Sequence, residues 1–237
     1  MSRESDERRL FQVVQDGLRR WLGRARAVVM APWERYKIQP NPVAIFSTQS
    51  SWNDEVETIL TEIGKISLNA WSFATDVPPV SRHAFVMSQL AQVENLLVRI
   101  PDEVYNLIFA AITDAVNGGG NAQTVARAVD EVLMWTGSEN WPNRARVIAI
   151  TETTRSYGAG TLAAGMEQSR VTGKLLRKKW VNEHDGRVRA THKAVSADPI
   201  PLNAMFRVGP VLMLYPGDPT APVEEVAGCR CDLLIVD

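Results

Sequence analysis

Residues 144–173 read RARVIAITETTRSYGAGTLAAGMEQSRVTG, and this stretch decides the fold. Its apolar residues recur at three- and four-residue spacings, the period of an α-helix; they are Ala145, Ile148, Ala149, Ala159, Leu162, Ala163 and Met166. Glycine inside a helix costs about 1 kcal/mol relative to alanine. Gly158, Gly160 and Gly165 therefore predict that another part of the backbone passes close to this helix.

The periodicity differs on the two sides of this helix. Before it, successive amphipathic segments over residues 5–133 keep the helical period. After Gly173 the period changes to two, which is typical of strands. Three strands are expected, over residues 174–182, 211–215 and 229–236. The predicted fold class is α+β: a helical N-terminal half, then a small α+β module with a long helix and an antiparallel sheet.

Prolines and composition suggest four segments. They are a basic amphipathic helix (1–31), a linker (32–50), a helical domain (51–142) and an α+β domain (143–237). The first boundary rests on Pro32, because the residue before a proline avoids the α region. The chain has 237 residues, 45% of them hydrophobic, so wholesale disorder is excluded. No apolar run reaches the ~18–20 residues that a membrane span needs, and the charged N-terminus is unlike a secretory signal.

Charge is segregated along the chain. The formal net charge is −1, but residues 1–37 hold nine Lys or Arg against five Asp or Glu, and residues 38–143 hold four against twelve. Residues 174–193 hold seven against two. The N-terminal helix therefore predicts a partner-binding surface made of Arg8, Arg19, Arg20, Trp21, Leu22 and Arg24. Its partner could be nucleic acid, an anionic membrane or an acidic protein; the alternative is an ordinary solvated face.

Two cysteines lie near the C-terminus, separated by Arg230. On a strand, residues two apart face the same side, so both thiols of Cys229 and Cys231 point one way. With His192 they could hold zinc if the chain bends at the start of the strand, and His184 or Asp185 is the candidate fourth ligand. A disulfide between them would be strained. The alternative is two thiols packed as small hydrophobes. No other cofactor is expected.

A polar cluster is predicted around Glu152, Asp185, Arg187 and Arg189. Such clusters are usually structural, because buried charged groups need partners. The alternative is a small α+β enzyme acting on RNA or a nucleotide through Glu152, Arg187 and His192, with histidine suited to proton transfer. The chain contains no nucleophile elbow, phosphate-binding loop, zinc-protease helix or dinucleotide fingerprint. We therefore assign no catalytic residue.

Five motifs follow one another in the last two-fifths of the chain. They are RARVIAITET at 144–153, Lys179-Trp180, DGRVRATH at 185–192, Tyr-Pro-Gly-Asp-Pro at 215–219 and Cys-Arg-Cys at 229–231. In order and spacing they resemble the phage Mu F-like domain of the phage head morphogenesis, or minor head protein, family. Many members of that family carry Cys-x-x-Cys after the Asp-x-Arg motif, whereas this chain has His192 in that neighbourhood.

The resemblance implies a structural protein of a tailed phage. Such a protein is a virion component inside the head, present in the host cytoplasm during assembly. It associates with the portal or another head protein and is needed for head assembly or for DNA packaging and delivery. Contact with packaged DNA would rest on charge alone. Neither a membrane span nor a small-molecule substrate is expected.

Overall fold

The computed structural model describes residues 2–79, 83–137, 140–183 and 186–237. In these ranges the long helices are α1 (Arg3–Tyr36), α2 (Gln49–Ala74), α3 (Ala84–Leu97), α4 (Ile100–Asn117), α5 (Ala122–Leu133) and α6 (Trp141–Thr172). A 3₁₀ helix spans Pro42–Thr48. Two short helices follow α6, namely α7 (Ala190–Lys193) and α8 (Val223–Val226).

The strands all follow α6. They are β1 (Arg177–Val181), β2 (Ile200–Pro201), β3 (Phe206–Val208), β4 (Val211–Met213) and β5 (Asp232–Val236). One antiparallel sheet has the order β2-β1-β5, with Trp180 opposite Leu233, and β3 pairs with β4 in a separate hairpin. The predicted fold class is confirmed, with helices first and the sheets after the long helix. Cys229 and Cys231 precede β5, so the last strand begins later than expected.

The chain divides into two compact units. Unit 1 contains the N-terminal stretch up to Phe11, Leu60–Val93 and Val147–Asp237. Unit 2 contains Gln12–Ile59 and Glu94–Arg146. Each unit is therefore assembled from segments that are distant in the sequence, and the helices α1, α2, α3 and α6 each contribute to both.

Tryptophans build the core of unit 2. Trp21 and Trp52 are fully buried, with ring centroids 5.3 Å apart. Each indole N–H is also satisfied: Trp21 donates to Thr48 Oγ1 at 2.9 Å and Trp52 to the Leu97 carbonyl at 2.7 Å. Buried Trp side chains normally find such a partner. These bonds tie α1 to the 3₁₀ helix and α2 to the end of α3.

The core of unit 1 lies between α6 and the strands. Its buried members are Ala159, Leu162, Trp180, Phe206, Val208, Met213, Tyr215, Val226, Cys229, Cys231 and Leu233. The α6 glycines lie where the helix is approached most closely. A Cβ at Gly158 would meet Tyr215 Cδ2 at 2.5 Å, and one at Gly160 would meet the Ser67 carbonyl oxygen at 2.2 Å. The close approach predicted from the glycines is confirmed.

The first turns of α1 belong to unit 1. Asp6 is fully buried and accepts hydrogen bonds from Arg9 (2.9 Å), Asn69 (3.2 Å) and the Tyr157 hydroxyl (2.9 Å). Burial, together with the hydrogen bond from its hydroxyl to Asp6, raises the pKa of Tyr157. Arg230 forms an ion pair with Glu7 at 2.7 Å. The first turns of the predicted 1–31 helix therefore share the polar core of the C-terminal module.

The first helix also ends later than predicted. It continues through Pro32 to Tyr36, instead of ending at Ala31, and the 3₁₀ helix occupies much of the expected 32–50 linker. Val29 and Met30, three and two residues before the proline, are buried. Their packing stabilises a helix that local preference alone would end, as tertiary context often does. Within the described ranges, no helix is both long and apolar enough to cross a membrane.

Replacing Asp6 by alanine tests the corrected role of the N-terminal turns. In Asp6→Ala, Tyr157 and Asn69 lose a buried charged acceptor. We expect the free energy of unfolding to fall by about 2–3 kcal/mol, since hydrogen bonds to charged groups contribute that much. Urea denaturation of the full chain, monitored by circular dichroism, measures this free energy.

The matched control is Arg8→Ala, an exposed position two residues along the same helix. Its unfolding free energy should stay within about 0.5 kcal/mol of the native value, as for most surface substitutions. Equal stability of the Asp6 and Arg8 variants would contradict the assignment of these turns to the core of unit 1.

Candidate functional site

Three predicted ligands converge in unit 1. His192 lies on α7, whereas Cys229 and Cys231 lie in the segment between α8 and β5, and all three are buried. His192 Nδ1 is 3.4 Å from Cys231 Sγ and 3.5 Å from Cys229 Sγ. All three ligand atoms lie within 4.8 Å of one another. The structure thus brings together the three residues that the sequence singled out.

The other ring nitrogen of His192 contacts a carboxylate. Nε2 is 3.1 Å from Glu225 Oε2 on α8, and the Thr191 hydroxyl donates to the same oxygen at 2.8 Å. An ionised carboxylate only accepts hydrogen bonds, so Nε2 carries the proton that it donates. In neutral histidine, Nδ1 then presents its lone pair to the two sulfurs. The Trp180 ring packs edge-on against the imidazole, with centroids 5.4 Å apart.

The two thiols differ in acidity. The hydrogen bond from Cys231 lowers the pKa of Cys229 to about 5, against the opposing effect of burial. That same bond, together with burial, raises the pKa of Cys231. The backbone N–H of Cys231 also points to Cys229 Sγ, at 3.4 Å.

Basic side chains surround a small cavity beside this cluster. Its lining includes Glu183, Arg187, Arg189 and Arg230 together with the cluster itself. Arg189 also donates to the Ala227 carbonyl, which fixes the segment that leads to Cys229. The other proposed ligands and cluster members, His184 and Asp185, lie outside the described residues.

Glu152 is buried in α6, as expected, but its partner differs from the prediction. It accepts a hydrogen bond from Arg155 Nη1 at 2.7 Å, one helical turn away, whereas Arg187 or Arg189 was expected. Arg155 is itself buried and donates through Nε to the Gly217 carbonyl at 2.9 Å. Burial raises the pKa of Glu152, and the nearby guanidinium opposes that shift. The pair joins α6 to the Tyr-Pro-Gly-Asp-Pro turn.

The three residues of the enzyme hypothesis have different surroundings. Glu152 bonds Arg155, while both ring nitrogens of His192 face Glu225 and the thiols. Arg187 lies at the cavity beside His192. Buried groups that are bonded to one another are typical of a structural role. Because Glu152 is buried and bonded to Arg155, it does not support the enzyme hypothesis.

The predicted partner-binding set on the N-terminal helix needs correction. Trp21 and Leu22 are buried inside unit 2, where they pack against the chain's own core. Arg20 and Arg24 are exposed, but both pair with Glu55, at 2.5 and 3.3 Å. The remaining two members behave differently, since Arg19 stacks over the Trp135 ring at 5.0 Å and Arg8 is exposed. The acidic middle of the chain thus neutralises part of its own basic helix.

Sequence reasoning missed Glu225 and Arg155. Glu225 lies 33 residues beyond His192, and no local pattern links them. The pairing of Arg155 with Glu152 could have been predicted, because a Glu and an Arg three residues apart face the same side of a helix. Lys178 was also missed: it is fully buried, donates to the Leu214 carbonyl at 2.7 Å, and burial lowers its pKa to about 8.

Comparison with known proteins identifies the family. The family model described as "Phage Mu protein F like protein" matches residues 106–234, more than half of the chain. No curated protein and no solved structure matches the chain. The chain belongs to the phage Mu F-like family, a family of phage head morphogenesis proteins, and the resemblance read from its C-terminal motifs is confirmed.

Removing one member of the buried pair on α6 should destabilise the protein strongly. In Glu152→Ala the Arg155 guanidinium stays buried without its counter-charge, and we expect a loss of about 3 kcal/mol in unfolding free energy. Glu152→Gln also lacks the counter-charge but keeps a hydrogen-bond acceptor and the volume, so it should cost less than Glu152→Ala. Urea denaturation of the full chain measures both.

Glu167→Ala is the matched control, because Glu167 pairs with Arg170 at the same spacing on the same helix. Arg170 is exposed, and because solvent screens exposed pairs, the loss of stability in Glu167→Ala should be much smaller than in Glu152→Ala. If the losses for Glu152→Ala and Glu167→Ala were equal, the buried pair would have no special role.

Proposed function

We propose that this protein is a minor component of a tailed-phage head, associated with the portal and inner capsid and needed for head assembly or for DNA packaging and delivery. The observation that carries the proposal is the family match over residues 106–234. The role inside the virion and the contact with the portal go beyond that match. They extend the head morphogenesis function of the family to this chain.

The bonding of the polar residues supports an assembly role over catalysis. Glu152 and His192 are both buried and bonded to neighbours in their own chain. A catalytic pair has to reach a substrate. These groups instead connect α6 to a turn and α7 to α8, which is how polar residues stabilise one conformation of a core.

An exposed aromatic surface on unit 2 supports contact with another protein. Phe46 packs on Tyr105 with ring centroids 5.2 Å apart, and Tyr105 on Phe109 with centroids 6.3 Å apart. Phe46 is 41% exposed and Phe109 is 56% exposed. We call these three residues the aromatic patch. Exposed aromatic groups that touch one another mark interaction sites, since aromatics are enriched at the centres of protein interfaces.

The charge distribution favours a protein partner over DNA. Several arginines of α1 are paired within the chain: Arg3 with Asp232, Arg9 with Glu62, Arg20 and Arg24 with Glu55, and Arg26 with Asp130. Cations that already have a carboxylate partner gain less from phosphate than free ones. The head protein that meets this chain is therefore expected at the aromatic patch of unit 2.

Deletion and complementation in the parent phage test the function. Deleting the gene should leave few or no DNA-filled heads in electron micrographs of lysates and lower the infectious titre at least a hundredfold. Supplying the native chain from a plasmid should restore both. The double variant Phe46→Ser, Phe109→Ser should restore less than a tenth of the titre, because it removes the apolar surface that the partner buries.

Leu175→Ser is the control for the patch, because Leu175 is 92% exposed and lies in unit 1. It should restore full titre, and unfolding curves of both purified variants should match the native one. A deletion that leaves heads and titre unchanged would overturn the proposed function. Full rescue by the double variant would overturn the role of the aromatic patch while leaving the family assignment intact.

A further inference from the structure

The separations within the His192 cluster match those of a tetrahedral zinc site. Zinc bonds of about 2.05 Å to nitrogen and 2.3 Å to sulfur, meeting at the tetrahedral angle, place the two ligand atoms about 3.5 Å apart. Nδ1 of His192 lies 3.4 Å from Cys231 Sγ and 3.5 Å from Cys229 Sγ. The nitrogen therefore already stands at the distance from each sulfur that one shared ion would impose, and all three ligand atoms lie within 4.8 Å of one another.

We propose that His192, Cys229 and Cys231 bind one zinc ion through Nδ1 and the two sulfurs, and that Glu225 is the positioning residue that orients the imidazole. Zinc ties α7 to the segment before β5, so its role here is structural. The fourth ligand expected from the sequence, His184 or Asp185, lies outside the described residues. Zinc binding concerns the folding of unit 1, and it is independent of the proposed role in the phage head.

Glu225 supplies the second, independent argument. Histidines that ligate a metal almost always donate their other ring N–H to a carboxylate, a carbonyl or water, which fixes the tautomer and the orientation of the ring. Nε2 of His192 meets Glu225 Oε2 at 3.1 Å, and Thr191 holds that carboxylate in place. Two packed thiols do not require this arrangement, whereas it is the usual one for a histidine that ligates a metal.

Charge balance also favours an ion. Zinc binding displaces the thiol protons, and the ion then supplies the counter-charge that two buried thiolates need. Two thiolates, a neutral imidazole and Zn²⁺ sum to zero. The chain has only two cysteines, which excludes a four-cysteine iron–sulfur cluster. Thiolate and imidazole ligands in tetrahedral geometry select zinc among the common divalent ions.

Two other uses of these residues fit less well. A Cys–His–Glu catalytic arrangement needs one thiol on the histidine and access for substrate; here both thiols share Nδ1 and are 3% and 4% exposed. A disulfide would close a strained ring across one residue. Each of these is an outcome that the experiment below can reveal.

Metal analysis of the full chain tests the proposal. Protein purified without chelator should contain about one zinc ion per chain when it is analysed by inductively coupled plasma mass spectrometry. Replacing zinc with Co²⁺ should produce the visible bands of tetrahedral cobalt and a thiolate-to-cobalt charge-transfer band in the near ultraviolet. Zinc should also protect both thiols from alkylation by iodoacetamide, and removing it with a chelator should expose them.

Variants separate the ligands from the positioning residue. Cys229→Ser, Cys231→Ser and His192→Ala should each lower zinc affinity at least a hundredfold in competition with a chromophoric chelator. Glu225→Gln should lower it about 10–100-fold while keeping the cobalt spectrum, as expected for a residue that acts through a ligand. His83→Gln is the control, because His83 lies on Trp71, away from the cluster, and it should bind zinc like the native chain.

Native protein that contains no zinc and gives no thiolate-to-cobalt band would overturn the proposal, even if some variants fail to fold. So would a Cys229–Cys231 disulfide in protein purified under reducing conditions, or one thiol that alkylates rapidly in the presence of zinc. An unchanged zinc affinity in Glu225→Gln would remove Glu225 from the site and leave the three ligands.

Discussion

The packing of the turn at Tyr215–Asp218 against the middle of α6 is the contact on which unit 1 depends. Arg155 reaches from the helix to the Gly217 carbonyl and is balanced by Glu152 one turn away. Gly217 has φ +83° and lies so close that a Cβ would stand 2.8 Å from the Arg155 Cα. Only glycine combines that backbone conformation with that distance. Helix and turn therefore constrain each other's residues.

The rest of the module is organised around that turn. Asp218 accepts from the backbone N–H of Leu214 at 2.7 Å, and Lys178 of β1 donates to the carbonyl of the same residue. The sheet is thus tied to the turn, and the turn to α6. The N-terminal turns of α1 join the same unit through Asp6 and Tyr157. A module that begins at residue 143 would lack these turns, although the motifs that identify the family all lie after that point.

Periodicity predicted most of the architecture, because burial repeats every 3.6 residues in a helix and every two in a strand. The glycines of α6 and the meeting of His192 with the two cysteines were also predictable. The partner of Glu152 and the helix through Pro32 were not. Both depend on which distant segments bury a given face of a helix, and Trp21 illustrates the difficulty. The apolar stripe of α1 that contains Trp21 suggested an external partner, whereas Trp52 of the same chain packs against Trp21. Periodicity shows that a face is buried but not what buries it.

The chain belongs to a family of phage head morphogenesis proteins, and buried polar contacts between distant segments join the elements of unit 1. The most direct test is quantitative mass spectrometry of DNA-filled heads from the parent phage, purified on a density gradient and treated with protease before lysis. A protein that resides inside the head should be recovered intact, at a constant low number of copies per particle. Heads that are complete, infectious and free of this chain would contradict the account.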